Sequence, residues 1–176
     1  MAQEMADRPA LVRALIRTRD EMLNRMNLPD EKFALRYAPG KWNIRQILAH
    51  LADTEMVNLW RLQRALAEPG TTVEAFDQDQ WANHLRYEAR PMELSQRLFQ
   101  SCRAQTLYYI ETVTEEQILR SIEHPEKGKV TVFRWAQITV QHAVHHLSQI
   151  TAALEGNAWK PESIDSAWQY TTGVPK

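Results

Sequence analysis

The sequence predicts an all-α protein, a four-helix bundle with a longer connection between its second and third helices. Apolar residues recur at helical spacing over four long blocks, which is typical of amphipathic helices. The chain has only five glycines, which disfavours a glycine-rich phosphate loop or a fold with many β-turns. Its 176 residues fit one domain, and the absence of an internal repeat favours a bundle over a helical repeat.

The first two long helices are recognised by their ends. The first is predicted over about residues 8–26, and Pro29 ends it. The second starts after Asn43, a suitable N-cap, with Gln46 in the capping-box position three residues later. Its apolar stripe continues until the proline and glycine at residues 69–70.

The polar connection after the second helix contains a short helix, predicted at about residues 78–87 around Trp81. The third long helix opens near Pro91, because proline suits the first turn of a helix. Its apolar residues continue to about Val113. The longer connection therefore lies between the second and third long helices.

A short segment precedes the last long helix. Thr114 and Gln117 form a second capping-box pattern, which predicts a short helix at that point. The turn signal at residues 124–128 is compatible with a small hairpin and with an irregular loop. The fourth long helix is predicted over about residues 131–154, with Gly156 as its C-terminal cap.

The whole chain, residues 1–176, is predicted to be a single domain. Its bundle covers about residues 8–155, and a tail follows at residues 157–176. The aromatic residues of this tail predict a strap packed on the bundle, although chain ends are usually loose; they are Trp159, Trp168 and Tyr170.

The charge balance excludes some partners. There are 21 Lys and Arg against 22 Asp and Glu, a formal net charge of −1, so nucleic acid and anionic membranes are not expected partners. No stretch approaches the roughly 20 apolar residues that span a bilayer, and charges interrupt any signal-peptide core. The single cysteine, Cys102, fits a reducing compartment and lacks a base to activate it. We therefore expect a cytoplasmic protein with a structural cysteine.

Six histidines beside one cysteine favour imidazole as the ligand of any bound metal. His142 and His146 lie four residues apart in the last helix, so their side chains share one face and form a candidate chelating pair. His145 lies toward the edge of that face, and its role stays open. The alternative interpretation is a set of polar residues facing a water-filled gap.

A third ligand is expected on a facing helix, because catalytic zinc sites commonly use three protein ligands. His50 on the second helix is the candidate, while His84 and His124 lie on connecting segments and receive no role.

The chain resembles the DinB-like superfamily of metal-binding, YfiT-like four-helix bundles, which is unrelated to the DNA polymerase of similar name. The opening signature is Gly-Lys-Trp-Asn-Ile-Arg at residues 40–45 followed by Leu-Ala-His-Leu-Ala-Asp-Thr-Glu at 48–55. The closing signature is His142 followed by His145 and His146. The resemblance covers about residues 8–155.

This resemblance implies a divalent metal, zinc or nickel, held by His50, His142 and His146. It also implies a homodimer and one of several activities, which include thiol S-transfer, mycothiol-dependent isomerisation and hydrolysis. A low-molecular-weight thiol is a possible cofactor, and Cys102 is not needed for it.

Candidate supporting residues lie close to the predicted ligands. Glu55 falls inside an apolar stripe, where a carboxylate is costly unless it is paired. It is interpreted either as the partner of Arg103 or as a general base or support for the metal site. Gln149 shares the histidine face and is a candidate to orient a ligand, whereas Asp53 is expected to be a solvated charge.

Three tryptophans are candidates to line a pocket, with core packing as the alternative; they are Trp42, Trp81 and Trp135. The last helix is also apolar opposite its histidines, at Phe133, Val140, Val144 and Leu147. A helix that is apolar on two faces is buried on both, which favours a homodimer, with packing of the tail as the alternative.

The leading hypothesis is a metal-dependent enzyme that acts on small molecules by hydrolysis or thiol S-transfer. The alternative is a metal- or ligand-binding stress-response protein without turnover. A structural or DNA-associated dimer is the third hypothesis, and the lack of a basic helix opposes DNA contact.

Overall fold

Four long helices form the bundle in the computed structural model, which describes residues 2–161. They are α1 (Ala2–Met26), α2 (Ile44–Ala67), α4 (Met92–Thr112) and α5 (Val132–Glu155), with the short α3 (Gln78–His84) between α2 and α4. Strands β1 (Ser121–His124) and β2 (Gly128–Thr131) pair antiparallel just before α5. The predicted four-helix bundle and its longer connection are confirmed, and the open choice at residues 124–128 is a hairpin. Within residues 2–161, no helix is long and apolar enough to cross a membrane.

The helix ends follow local chemistry. The Asn43 side chain accepts a hydrogen bond from the Gln46 backbone N–H at 2.8 Å, and the Gln46 side chain accepts one from the Asn43 N–H at 3.0 Å. Gly156 ends α5 with φ of 68°, a left-handed conformation that glycine adopts without strain. Helix α1 starts at Ala2, earlier than predicted, because its first turns lack the apolar stripe used to locate it.

The connecting segments differ in detail from the prediction. The short helix α3 ends at His84, and a separate 3₁₀ turn covers Tyr87–Ala89. Thr114 and Gln117 exchange the expected capping-box hydrogen bonds, but the segment forms only a 3₁₀ turn at Gln117–Leu119. A further 3₁₀ turn at Asp30–Ala34 lies between α1 and α2.

The helices are not arranged in sequential order. Helix α2 packs against α4 and α5, and α1 packs against the same two helices. Helices α1 and α2 touch each other only weakly, as do α4 and α5, so each of these pairs lies on a diagonal. Short loops would make consecutive helices neighbours. The long connection at residues 27–43 allows α1 and α2 to lie diagonally, which places α2 directly against α5.

Two apolar clusters fill the bundle. One surrounds Leu15 and Val140 near the hairpin, and the other surrounds Met22 and Ile150 near the start of α2. Between them lies the arginine cluster, made of Thr18, Glu55 and Arg103. The fully buried Arg103 donates to both Glu55 oxygens at 2.6 and 2.8 Å and to the Thr18 hydroxyl at 2.8 Å. Of the two interpretations of Glu55, as the partner of Arg103 or as a general base or support for the metal site, the structure shows the pairing with Arg103.

The expectation that Asp53 is solvated is wrong. Asp53 is buried and accepts hydrogen bonds from the Arg90 guanidinium at 2.5 and 3.0 Å and from the Tyr87 hydroxyl at 2.8 Å. These partners belong to the connection that folds back onto α2. Helical periodicity carries no sign of them, because they lie 34 and 37 residues away in sequence.

The second apolar face of α5 is covered within the chain. Phe133, Val140 and Val144 are buried in the same cluster as Leu11 and Leu15 of α1. The bundle itself therefore accounts for this face, and a second copy is not required to cover it. The homodimer stays a prediction. Trp168 and Tyr170 of the predicted strap lie outside the described residues.

Candidate metal centre

Three imidazoles meet between α2 and α5 and form the histidine cluster of His50, His142 and His146. The Nε2 atom of His142 lies 3.2 Å from Nε2 of His50 and 3.1 Å from Nε2 of His146. One ring nitrogen from each side chain lies within 4.8 Å of the other two. The helical spacing of four aligns His142 with His146, and the diagonal arrangement of α1 and α2 brings His50 opposite them.

The nitrogen separations fit ligands of one divalent cation. Imidazole nitrogens bind zinc at about 2.0–2.1 Å, which puts two ligands roughly 3.3 Å apart in a tetrahedron and about 3.0 Å apart at a right angle. The two Nε2 separations, 3.1 and 3.2 Å, lie between these limits. In the described part of the chain, this is the only group of three or more histidine, cysteine or carboxylate side chains placed to hold a metal ion.

Burial keeps the three imidazoles neutral. Burial, together with nearby His146 and His145, lowers the pKa of His50 from 6.5 to about 3. Burial and neighbouring histidines also lower the pKa of His142 and His146 well below 6.5. A neutral imidazole offers a lone pair to a cation, whereas a protonated one does not. The cluster is therefore in its metal-binding protonation state at neutral pH.

Gln149 orients one ring of the cluster. Its side-chain oxygen lies 2.7 Å from Nδ1 of His146 and accepts that nitrogen's hydrogen, which leaves the His146 Nε2 lone pair facing the cluster. The amide nitrogen of Gln149 donates to Nε2 of His145 at 3.2 Å and to the Tyr37 hydroxyl at 3.4 Å. His145 lies beside the cluster, with its ring 5.1 Å from that of Trp159.

The His50 ring is held from its own helix and from the preceding loop. The Thr54 hydroxyl donates to the His50 carbonyl at 2.7 Å, and its oxygen lies 3.4 Å from Nδ1 of His50. The Trp42 ring packs against the imidazole at a centroid distance of 4.9 Å and also lines a cavity. Trp135 is instead a core residue, 1% exposed.

Glu55 and Cys102 are engaged away from the histidine cluster. Both Glu55 oxygens accept hydrogen bonds from Arg103, and Glu55 is absent from the group of candidate ligands. Burial and the Glu55 charge raise the pKa of Cys102 to about 11. A thiol with such a pKa is protonated at neutral pH, which agrees with the structural role predicted for it.

Among the residues that the structure describes, His142 lines three cavities beside the cluster. The largest, about 540 Å³, lies under the hairpin and includes the cations Lys127, Lys129 and Arg134. The second, about 490 Å³, lies between α5 and the loop before α2, with Tyr37, Trp42, Asp79 and Gln149 in its wall. The third, about 210 Å³, reaches from the cluster to the turn of the hairpin, with Thr54, Arg61, Phe76 and His124 in its wall.

Two residues of the smallest cavity escaped the sequence analysis. His124 lies at a turn signal, which gives no sign of a role. It is nevertheless buried at the end of β1, and both His124 and His50 line the smallest cavity. Arg61 is a buried charge inside the apolar stripe of α2. Its position in that stripe was the available signal, the same one that singled out Glu55.

Comparisons with known proteins agree with this geometry. A protein of Oceanobacillus iheyensis named "Putative metal-dependent hydrolase OB0413" is 33% identical over 138 residues, 78% of each chain. Bacillus subtilis YfiT, named "Putative metal-dependent hydrolase YfiT", is 26% identical over 133 residues, 75% of each chain.

The solved structure of Bacillus subtilis YfiT, described as a probable metal-dependent hydrolase with an unusual four-helix bundle topology, has the same fold. It superposes with a TM-score of 0.78 at 22% identity, over 87% of this chain and 89% of that one. The sequence model of the DinB superfamily matches residues 14–150, which include all of the histidine cluster. The chain therefore belongs to the DinB superfamily.

Proposed function

We propose that this protein is a divalent-metal-dependent hydrolase of small molecules, with His50, His142 and His146 as the metal ligands. One observation carries the proposal: three imidazoles with lowered pKa values each place a ring nitrogen within 4.8 Å of the other two, with Nε2 separations of 3.1 and 3.2 Å from His142. The names of the relatives support the same class of reaction. Zinc and nickel both suit a set of imidazole ligands.

The bound cation would act as a Lewis acid that lowers the pKa of a coordinated water or thiol. The protein's own groups supply orientation and enclosure. Gln149 fixes the tautomer of His146, because its oxygen accepts the Nδ1 hydrogen. Trp42 and Thr54 hold the His50 ring from two sides. These contacts would hold the nitrogens of His50 and His146 in position to bind a cation.

Thiol S-transfer is the second candidate, and one observation favours it. Separate cavities of about 540 and 490 Å³ both include His142 and His145 in their walls, which gives room for a thiol and an acceptor on two sides of one centre. The buried Cys102, with its raised pKa, does not supply the thiol. A low-molecular-weight thiol would therefore be the second substrate.

Turnover assays of the zinc- and nickel-loaded protein test the proposal. A panel of small esters and amides is assayed alone, and electrophilic acceptors are assayed with added small thiols. We expect ester or amide cleavage that His146→Ala abolishes. The matched control is His84→Ala, because His84 is exposed at the end of α3. Turnover only with an added thiol would favour the transferase, and metal binding without turnover would favour a non-catalytic binding protein.

A further inference from the structure

Arg61 of α2 is a buried cation beside the histidine cluster. Its side chain is 5% exposed and lines the same 210 Å³ cavity as His50 and His142. The guanidinium carbon lies 5.2 Å from the centre of the Trp135 ring and 6.0 Å from that of the Phe76 ring. The planar group is therefore flanked by aromatic rings beside an open space.

Much of the hydrogen-bonding capacity of Arg61 is unused. Its Nη2 donates to the Glu74 carbonyl, whereas its Nε is buried without any partner. Over the described ranges, no carboxylate lies within ion-pair distance of Arg61. Burial lowers the Arg61 pKa, and the Glu126 charge partly opposes this lowering. Glu126 lines the same cavity but is an exposed residue of the hairpin turn. A buried guanidinium without a carboxylate is energetically costly, so its presence calls for a role.

Two other arginines that contact α2 form ion pairs with carboxylates of that helix. Arg103 is paired with Glu55, and Arg90 is paired with Asp53. Arg61 differs from both because it faces a cavity whose acidic wall residue, Glu126, forms no ion pair with it. The contrast indicates that its partner is a molecule that enters the cavity.

We propose that Arg61 binds a carboxylate group of the substrate and so positions carboxylate-bearing small molecules at the histidine cluster. The positioning of a substrate for reaction rests on the proposed function, whereas binding of the carboxylate does not. A guanidinium presents paired N–H donors that match the two oxygens of a carboxylate. Lys127 in the same wall adds positive charge at the hairpin side. The cavity of about 210 Å³ suits a small planar anion.

Titration of benzoate into the purified full chain, with and without zinc, tests this assignment. Benzamide has the same shape without the charge, and inorganic phosphate, added to the metal-free chain, separates a phosphate site from a carboxylate site. Arg61→Met removes the charge but keeps a side chain of similar length. Arg61→Lys keeps the charge but lacks the paired N–H donors of the guanidinium. Arg64→Met is the matched control, since Arg64 lies on the same helix but pairs with Glu68 at 2.8 Å.

We expect benzoate to bind the unmodified chain and shift the Arg61 Nε–H signal in nitrogen-edited NMR spectra. The dissociation constant should rise at least tenfold in Arg61→Met and stay unchanged in Arg64→Met. Benzamide should bind at least tenfold more weakly than benzoate. Arg61→Met should unfold at the same or a higher temperature, because it removes an unpaired buried charge. A purely structural arginine would instead lower the melting temperature when replaced.

Three results would overturn the assignment: no binding of benzoate to the unmodified chain, equal binding in Arg61→Met, or tighter binding of phosphate than of benzoate. Metal content is measured in every variant. Arg61-dependent benzoate binding by a chain that takes up no metal would support the anion site and contradict the proposed hydrolase. The two proposals can therefore fail separately.

Discussion

The arginine cluster and the histidine cluster both place polar groups of α2 inside the bundle, but they differ in the groups that face them. Arg103 and Glu55 satisfy each other with two hydrogen bonds, and Thr18 accepts a third. In the histidine cluster, three nitrogens of the same kind face one another at 3.1 and 3.2 Å. Opposite charges close the first site, whereas the second presents neutral imidazoles whose nitrogens can bind a cation.

The difference distinguishes buried polar groups that pair with each other from buried polar groups that can bind a ligand. A buried ion pair leaves no capacity for a ligand, and breaking it exposes the cost of burying the remaining charge. Converging neutral imidazoles present lone pairs that can bind a cation. Polar residues in the same helix, five positions apart, thus serve different purposes according to what faces them.

The largest expected effect comes from breaking the ion pair of Arg103 and Glu55. Arg103→Leu leaves Glu55 buried without a partner and should lower the free energy of unfolding by about 3–5 kcal/mol. Urea denaturation measures this loss, and Arg97→Leu is the control because Arg97 is exposed on the same helix. Replacing Glu55 by Leu in the same chain should recover much of the loss. A change below about 1 kcal/mol in Arg103→Leu would show that the arginine cluster is not a closed structural pair.

Acidification sharpens the comparison by acting on the histidine cluster. The pKa of His50 is about 3 in the folded protein and about 6.5 in an unfolded chain, so the unfolded state binds more protons between these values. His50 alone should therefore lower the free energy of unfolding of the metal-free protein by about 2 kcal/mol between pH 7.5 and pH 5, and His142 and His146, whose pKa values are also lowered, should add to this fall. His50→Gln should remove the His50 contribution and so reduce the dependence on pH. Equal urea midpoints for the unmodified chain at the two pH values would contradict it.

The smallest effect is expected from an indirect partner of the histidine cluster. Gln149→Leu removes the acceptor of the His146 Nδ1 hydrogen and should weaken zinc binding about tenfold. Competition with a chromophoric chelator measures the affinity. Gln63→Leu is the control, since Gln63 lies farther along α2 and donates a hydrogen bond to the Tyr109 hydroxyl of α4 at 3.3 Å. Unchanged affinity in Gln149→Leu would remove Gln149 from the site.

Local signals in the sequence predict much of the bundle. The capping box of Asn43 and Gln46 and the glycine after α5 mark helix ends through neighbouring residues, and they lie where expected. The pairing of Glu55 with Arg103 was predictable because a lone carboxylate in an apolar stripe requires a cation. The helix caps are local signals. The pairing of Glu55 follows from one physical rule, that a buried charge must be paired.

The remaining features depend on how long connections fold back. The partner of Asp53 lies 37 residues away, and the diagonal placement of α1 and α2 depends on the loop between them. The cavity around Arg61 combines α2, the segment after it and the hairpin. No periodicity within a helix records such contacts. His50 was likewise identified mainly by family resemblance, because spacing alone did not bring it opposite α5.

Elemental analysis of the purified protein after reconstitution with zinc or nickel tests the central claim most directly. The account predicts about one metal per chain in the unmodified protein and in the arginine-cluster variant with both Glu55 and Arg103 replaced by Leu. It predicts strong loss of metal in His50→Ala, His142→Ala and His146→Ala, with His84→Ala as the control. A metal-free unmodified chain, or full occupancy in any of the three cluster variants, would contradict the assignment of these histidines as the metal ligands.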